Sequence, residues 1–208
     1  MSGPVPHSPF IEPSAPVLRP EPPSGPQWLH EVKHDGWRAQ IHLNDGAVTI
    51  YGKNGGNLTK RFPAIAAAVA QLPVESAIVD AELVACTAEG VPDFYAIMKG
   101  AQHGCTAYCF DVLEMDGRVF IGLPLDERRQ MLRRLMRRAD NSTLRLSESF
   151  DDPQALLAAC EQHCLEGIVS KRRDRPYIPG ENPGWIKVKT KAWREANKNR
   201  WESFVKRS

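Results

Sequence analysis

The 208-residue chain has no run of eighteen or more apolar residues, so no stretch of it is long enough to cross a bilayer as a helix. It lacks both the G-x-x-x-x-G-K-[ST] loop and the G-x-G-x-x-G turn, which removes P-loop and Rossmann nucleotide sites from consideration. The opening Met1-Ser2-Gly3-Pro4 is neither basic nor apolar, and no secretory leader is expected. Cysteine is scarce and odd in number: Cys86, Cys105, Cys109, Cys160 and Cys164. Such a set without a leader argues for free thiols in a reducing compartment. The two C-x3-C spacings match no well-attested zinc pattern. An excess of one charge is also missing. Lysine and arginine number 27 against 25 acids, a net +2, so a nucleic-acid partner has to be argued from where charges sit. Hydrophobic content of 42% with 25% charged residues is that of an ordinary globular domain.

Proline is what the chain has early. Residues 1–26 hold nine of its 17 prolines, which excludes helix or central strand and predicts an extended arm. Phe10, Ile11, Val17 and Leu18 give that arm apolar points with which to lie against the body. From Trp28 the pattern is of hairpins interleaved with helices. Trp28–Lys33 alternates, with Leu29, Glu31 and Lys33 on one face. Arg38–Leu43 and Ala47–Tyr51 flank the turn signal Asn44-Asp45-Gly46, and Thr106–Leu113 and Arg118–Ile121 flank Met115-Asp116-Gly117. Ser76–Cys86 reads as a strand with Ile78, Asp80, Glu82 and Val84 on one face. Helices are expected over Phe62–Leu72, opened by Pro63; over Glu127–Arg138, capped by Asp126; and from Pro153 to Cys164, capped by Asp151 or Asp152. Glu166–Lys171 and Trp185–Thr190 read as strands separated by a Pro/Gly loop. Residues 192–206 read as an amphipathic helix with Trp193, Ala196, Trp201, Phe204 and Val205 on one stripe. Hairpins mixed with crossovers predict an α+β domain of largely antiparallel sheets.

Four stretches carry chemistry. Lys33 ends a strand just before the loop His34-Asp35-Gly36, where a rigid element can hold a nucleophile; a surface lysine before a turn fits the same residues. Asp80 and Glu82 share a sheet face, and a buried acid there needs a cation or a partner, which makes Glu82 a candidate metal ligand. Glu166-Gly167-Ile168-Val169-Ser170-Lys171 has an acid at the mouth of an apolar strand and a lysine at its end, and Gly167 would admit a close approach of other backbone. Lys187 and Lys189 share one face about 7 Å apart, suited to clamping a triphosphate or, equally, to a solvated edge strand.

Lys33-His34-Asp35-Gly36-Trp37-Arg38 resembles the K-x-D-G-x-R signature of the covalent nucleotidyltransferases, which comprise ATP-dependent DNA ligases, RNA ligases and mRNA capping enzymes. Asp80-Ala81-Glu82-Leu83, Tyr108-Cys109-Phe110-Asp111, Glu166–Lys171 and Trp185-Ile186-Lys187-Val188-Lys189 resemble the superfamily's later motifs, in order. The nearest likeness is to the ligase module of bacterial end-joining DNA ligases, also through Leu58-Thr59, Phe62-Pro63, Pro92-Asp93-Phe94 and Tyr177–Gly180. The resemblance covers roughly residues 28–190. It implies a covalent-nucleotidyltransferase, ATP-grasp-like fold over residues 27–190, between the arm (1–26) and a basic C-terminal helix (191–208).

The resemblance also implies roles. Lys33 would attack the α-phosphate of ATP and hold AMP, its neutral form favoured by the nearby cations Lys187 and Lys189. Glu31 would read the adenine amino group and Phe110 would stack on the ring. Arg38 would touch the ribose end or a phosphate. Asp35, Gly36 and Lys53 belong to the same nucleotide-binding set. Glu82 and Glu166 would organise Mg²⁺ or Mn²⁺. Lys171, Lys187 and Lys189 would neutralise phosphate charge. AMP would then pass to the 5′-phosphate of nicked or broken double-stranded DNA, in a monomeric, cytoplasmic and nucleoid-associated bacterial repair enzyme. A ligase-like DNA-end-binding module without full ligation, and RNA-ligase or capping-type transfer, remain alternative functions. Two departures stand out. Gly52-Lys53 replaces the usual Ser-Arg before Asn54-Gly55, trading a forked contact for a point charge. Only 19 residues follow Lys189, too few for the OB-fold domain of such ligases, so a separate OB-fold or end-joining protein is a candidate partner. Basic faces for DNA are expected from Lys187 to Arg207 and on Arg128, Arg129, Arg133, Arg134, Arg137 and Arg138.

Overall fold

The computed structural model describes residues 10–85, 104–138 and 143–198. Strands β1 (Ser14–Leu18), β2 (Trp28–Lys33), β9 (Gly167–Arg172) and β10 (Gly180–Lys189) form one sheet in the order β1-β10-β9-β2. A second sheet takes the order β4-β3-β5-β6-β7 from β3 (Trp37–Asn44), β4 (Ala47–Gly52), β5 (Ser76–Ala85), β6 (Cys105–Met115) and β7 (Arg118–Val119). Strand β8 (Leu144–Leu146) adds to β6 in parallel, and β1 joins β10 in parallel; the other pairs are antiparallel. The two hairpin turns place Asp45-Gly46 and Asp116-Gly117 at positive φ, the conformation that a tight two-residue turn requires.

Helices α1 (Pro63–Val69) and α2 (Leu125–Arg137) cover the second sheet, where Phe62, Ile65, Leu132 and Leu135 pack on Ile41, Ile50 and Leu83. Helix α3 (Pro153–Gln162) lays Leu156 and Cys160 on Ile168 and Val188 of the first sheet. Its cap is Asp152, whose carboxylate accepts from the amides of Gln154 and Ala155. A short helix α4 (Lys191–Ala196) follows β10. The sheets meet through Ile78, Phe110, Leu113, Tyr177 and Trp185, a buried cluster drawn from both. No helix among the described residues is long and apolar enough to cross a membrane.

Several expectations change. Strand β10 begins at Gly180, not Trp185, because β1 of the proline-rich arm pairs with its first half, Ser14 opposite Gly180 and Pro16 opposite Asn182. Proline cannot donate to a ladder, and Pro16 sits in an edge strand, where that costs least. Helix α2 is entered from Pro124; Asp126 lies in its first turn and pairs with Arg173. Arg128 and Arg129, expected on a DNA-facing surface, are fully buried. Cys86, Pro92-Asp93-Phe94, Trp201, Phe204 and Val205, singled out in the sequence, lie outside the described residues.

Candidate active site

A cleft of about 620 Å³ opens between the two sheets, its wall drawn from β2, β3, β5, β6, β9 and β10 and from Pro13–Pro16 of the arm. Strand register decides what meets in it. Lys33 of β2 and Lys189 of β10 both lie opposite Gly167 of β9. Gly167 has φ +150°, and a Cβ there would stand 1.9 Å from the Val188 carbonyl oxygen. With no side chain between them, the two lysines converge on Glu166. Lys33 Nζ lies 2.7 Å from Oε2 and Lys189 Nζ 2.9 Å from Oε1. The Lys33 side chain keeps 22% of its exposure, whereas Glu166 keeps 5%. Two residues along β9, Val169 lies opposite Glu31 and Lys187. Burial, then the like charges of Lys33, Lys189 and Lys53, pulls the Lys187 ammonium below its usual range. Four expected cations thus share one field at this end of the cleft.

The loop between β2 and β3 presses on β5. A Cβ at Gly36 would fall 2.1 Å from the Leu83 carbonyl oxygen, so this position admits only glycine. Asp35 turns toward α4, where its Oδ2 accepts from Trp193 Nε1 at 3.1 Å. Lys189 Nζ rests 4.2 Å from the centre of the same indole. His34 lines the cleft and stacks on Tyr108, and burial pushes its imidazole down to about 4, so it is neutral at pH 7.

Glu31 marks the opposite end. Its Oε1 takes Arg129 Nη1; its Oε2 takes Lys171 Nζ at 2.8 Å and the Ser147 hydroxyl at 3.4 Å. Lys171 lies 4.2 Å from the Phe110 ring centre and 4.3 Å from that of Trp185. It is four residues from Gly167, about 13 Å by strand rise. The structure therefore sets Lys171 beside Glu31 and Phe110, apart from Lys189, with which the resemblance grouped it. Its ammonium is pulled down by burial, against the Glu31 charge. Arg38 reaches the cleft wall, but its fork is closed on Asp80 at 2.5 and 2.6 Å, with Phe110 4.5 Å away. Tyr177 donates to Asp80 Oδ2 at 2.7 Å and accepts from the Ser14 amide at 2.9 Å, tying the arm to this network.

Glu82 stands opposite Arg38 in register and lines the cleft. Burial pushes its carboxyl up to about 7, outweighing the opposing pull of Lys33 and Arg38. Lys53 closes the rim from the end of the β3–β4 hairpin. Of the expected residues, the cleft wall thus holds Lys33, Glu31, Gly36, Arg38, Lys53, Phe110, Lys171, Lys187 and Glu82. Glu166 and Lys189 lie behind Lys33, and Asp35 faces α4. Arg129, Ser147, Tyr177 and Trp193 were missed. Tyr177 and Trp193 carried signals, in the family-like Tyr177–Gly180 segment and on an amphipathic stripe, and so did Arg129: with Arg128 it falls at the i+3 and i+4 positions between Leu125 and Leu132, on the buried stripe of α2.

Residues 22–189 match the family model described as ATP dependent DNA ligase domain. The multifunctional non-homologous end joining protein LigD of Pseudomonas aeruginosa is 33% identical over 192 residues, 90% of this chain and 23% of that protein. A probable DNA ligase of Streptomyces coelicolor is 33% identical over 175 residues, 76% of this chain and 34% of that one. A solved structure of mycobacterial DNA ligase D complexed with ATP and MES superposes with a TM-score of 0.75 at 27% identity, covering 86% of this chain and 60% of the other. The Chlorella virus DNA ligase-adenylate, at 14% identity and a TM-score of 0.56 over 85% of this chain and 69% of that one, shares the fold. The chain spans about a quarter of the length of the Pseudomonas relative.

Proposed function

The chain belongs to the ATP-dependent DNA ligase domain family, and from that membership we propose that it performs adenylyl transfer for DNA strand joining in repair. Lys33 Nζ attacks the α-phosphate of ATP; the bond to pyrophosphate breaks, and AMP remains on Nζ as a phosphoramidate. AMP then passes to the 5′-phosphate of a nicked duplex, and the 3′-hydroxyl displaces it to seal the strand. The observation that carries this reading is the convergence of Lys33 and Lys189 on Glu166 in the cationic end of a cleft whose other end offers Glu31 and Phe110.

The ends of the cleft divide the labour. Lys187 and Lys53 face the triphosphate from the cleft wall, and Lys189 adds its charge from behind Lys33, where positive charge stabilises the departing pyrophosphate. Lys33 must shed a proton to attack, and Glu166 Oε2, already 2.7 Å away, is an acceptor in contact. Glu31 takes the adenine amino group, and the base lies between Phe110 and Val169. Lys171 serves the base from beside Glu31. Arg38, held by Asp80, forms the wall at the ribose.

Magnesium fits this donor set in part. Among the described residues no hydrogen bond or ion pair holds the Glu82 carboxylate, and burial outweighs the pull of the nearby Lys33 and Arg38 charges on it. Glu82 would hold the ion together with phosphate oxygens, as Mg²⁺ prefers. Both Glu166 oxygens are engaged by lysines, so Glu166 would help hold the ion only where Lys33 has left it. The bound ion would neutralise phosphate charge.

The remaining assignments, a monomer working in the bacterial cytoplasm at the nucleoid with a separate OB-fold or end-joining partner, belong to the same proposal. The test is a gel assay with α-labelled ATP, Mg²⁺ and a duplex carrying a 5′-phosphorylated nick. Label is expected first on protein, then on DNA, then lost as the strand is sealed. Label that enters protein but never reaches DNA or RNA would reduce the chain to self-adenylation, and preference for nicked RNA would reassign the acceptor.

A further inference from the structure

Arg129 lies outside every motif that points to nucleotide chemistry, yet it is fully buried and spans the base end of the cleft. Its Nη1 donates to Glu31 Oε1 and, at 3.3 Å, to the Phe110 carbonyl; its Nη2 donates to the Ser147 carbonyl at 2.8 Å. One guanidinium therefore joins β2, β6 and the segment after β8, the three pieces of chain that carry the residues around the base. Among the described residues its Nε–H has no hydrogen-bond partner, so the site retains an uncompensated buried donor. A leucine at this position of α2 would fill the stripe without that penalty. The bonds of this cation to Glu31, Phe110 and Ser147 point to what it does there.

We propose that Arg129 is a positioning residue that fixes the Glu31 carboxylate against the nucleobase and thereby sets the preference for adenine over guanine. The inference rests on Glu31 reading the base. A carboxylate can pair with an exocyclic amino group, which adenine presents, and repels the carbonyl oxygen that guanine presents at the same place. That discrimination requires one oxygen to stay aimed at the cleft. Lys171 and the Ser147 hydroxyl both hold Oε2, and they alone would let the group swing about that oxygen. Arg129 holds Oε1, and two-point attachment stops the rotation. A lysine would supply the charge without reaching Glu31, Phe110 and Ser147 at once.

The test uses the full chain and follows formation of the covalent AMP or GMP adduct. Arg129→Met is expected to raise the KM for ATP at least tenfold, to lower the rate at saturating ATP less than threefold, and to reduce the ATP:GTP preference at least tenfold. Arg129→Lys should recover stability and only part of the preference. Glu31→Gln and the double variant Glu31→Gln/Arg129→Met should show the same preference, since Arg129 acts through Glu31. An unchanged ATP:GTP ratio in the folded fraction of both Arg129 variants, or additive losses in the double variant, would overturn the proposal. If Arg129→Met does not fold, the Lys variant and the Glu31 pair decide. Absence of any adduct on wild type would sink the ligase reading itself, whereas an adduct with an unmoved base preference would sink only the role of Arg129.

Discussion

At the scale of single residues, Glu82 sits where its charged form is disfavoured. Its carboxyl titrates near 7 in the folded chain, against an ordinary value of 4.5, chiefly because burial disfavours the charged form. Between pH 4.5 and 7 the folded chain holds a proton that the unfolded chain has shed, so the metal-free protein loses stability as pH rises across that window. Glu82→Gln removes this slope. Thermal melts should find the variant more stable than wild type at pH 8 and no more stable below pH 4.5, while Mg²⁺-dependent labelling falls at least tenfold. Equal melting differences at both pH values would mean the carboxyl is solvated. Much of the site was legible at this scale. Alternation along three strands put Glu31 with Lys33, Asp80 with Glu82, and Lys187 with Lys189. The resemblance grouped Lys171 with the phosphate lysines, whereas its ammonium sits against Glu31. Arg128 and Arg129 were read as solvent-facing because arginine usually is; their hydrophobic-stripe positions told otherwise.

At the scale of elements, α2 shows how a charged helix is held in a core. Arg128 closes its fork on Asp111 at 2.8 and 2.8 Å and donates to the carbonyls of Leu123 and Arg175 at 2.6 and 3.2 Å. The pair is fully buried. Breaking it leaves an isolated carboxylate, so Arg128→Ala should destabilise by about 3–5 kcal/mol in denaturant unfolding. Replacing both, as Arg128→Met with Asp111→Leu, should recover most of that loss. A double variant as unstable as the single would show that the helix depends on the charges themselves. Helices and hairpins were largely legible because their signals are local: turn residues at Asp45-Gly46 and Asp116-Gly117, and the Asp152 cap before Pro153. The first half of β10 was not, because its partner is the arm more than 160 residues away, as in the Asn182–Ser14 hydrogen bond at a separation of 168.

At the scale of the whole molecule, two sheets enclose the cleft, and few links join them. Phe110, Trp185 and Tyr177 supply an apolar link, and the Arg38–Asp80–Tyr177–Ser14 network and Arg129 supply polar ones. An α+β class with largely antiparallel sheets followed from the mixture of hairpins and crossovers. That the sheets would face one another across a nucleotide-sized cleft did not follow from periodicity; it came with the ordered motifs. The claim on which the rest depends is that Lys33 Nζ becomes bonded to phosphorus. Intact-mass analysis and peptide mapping after incubation with ATP and Mg²⁺ measure this directly. The expected result is one AMP on the peptide containing Lys33, stable at alkaline pH, released by acid and absent from Lys33→Ala. An unmodified chain, or an adduct on any other residue, would contradict it.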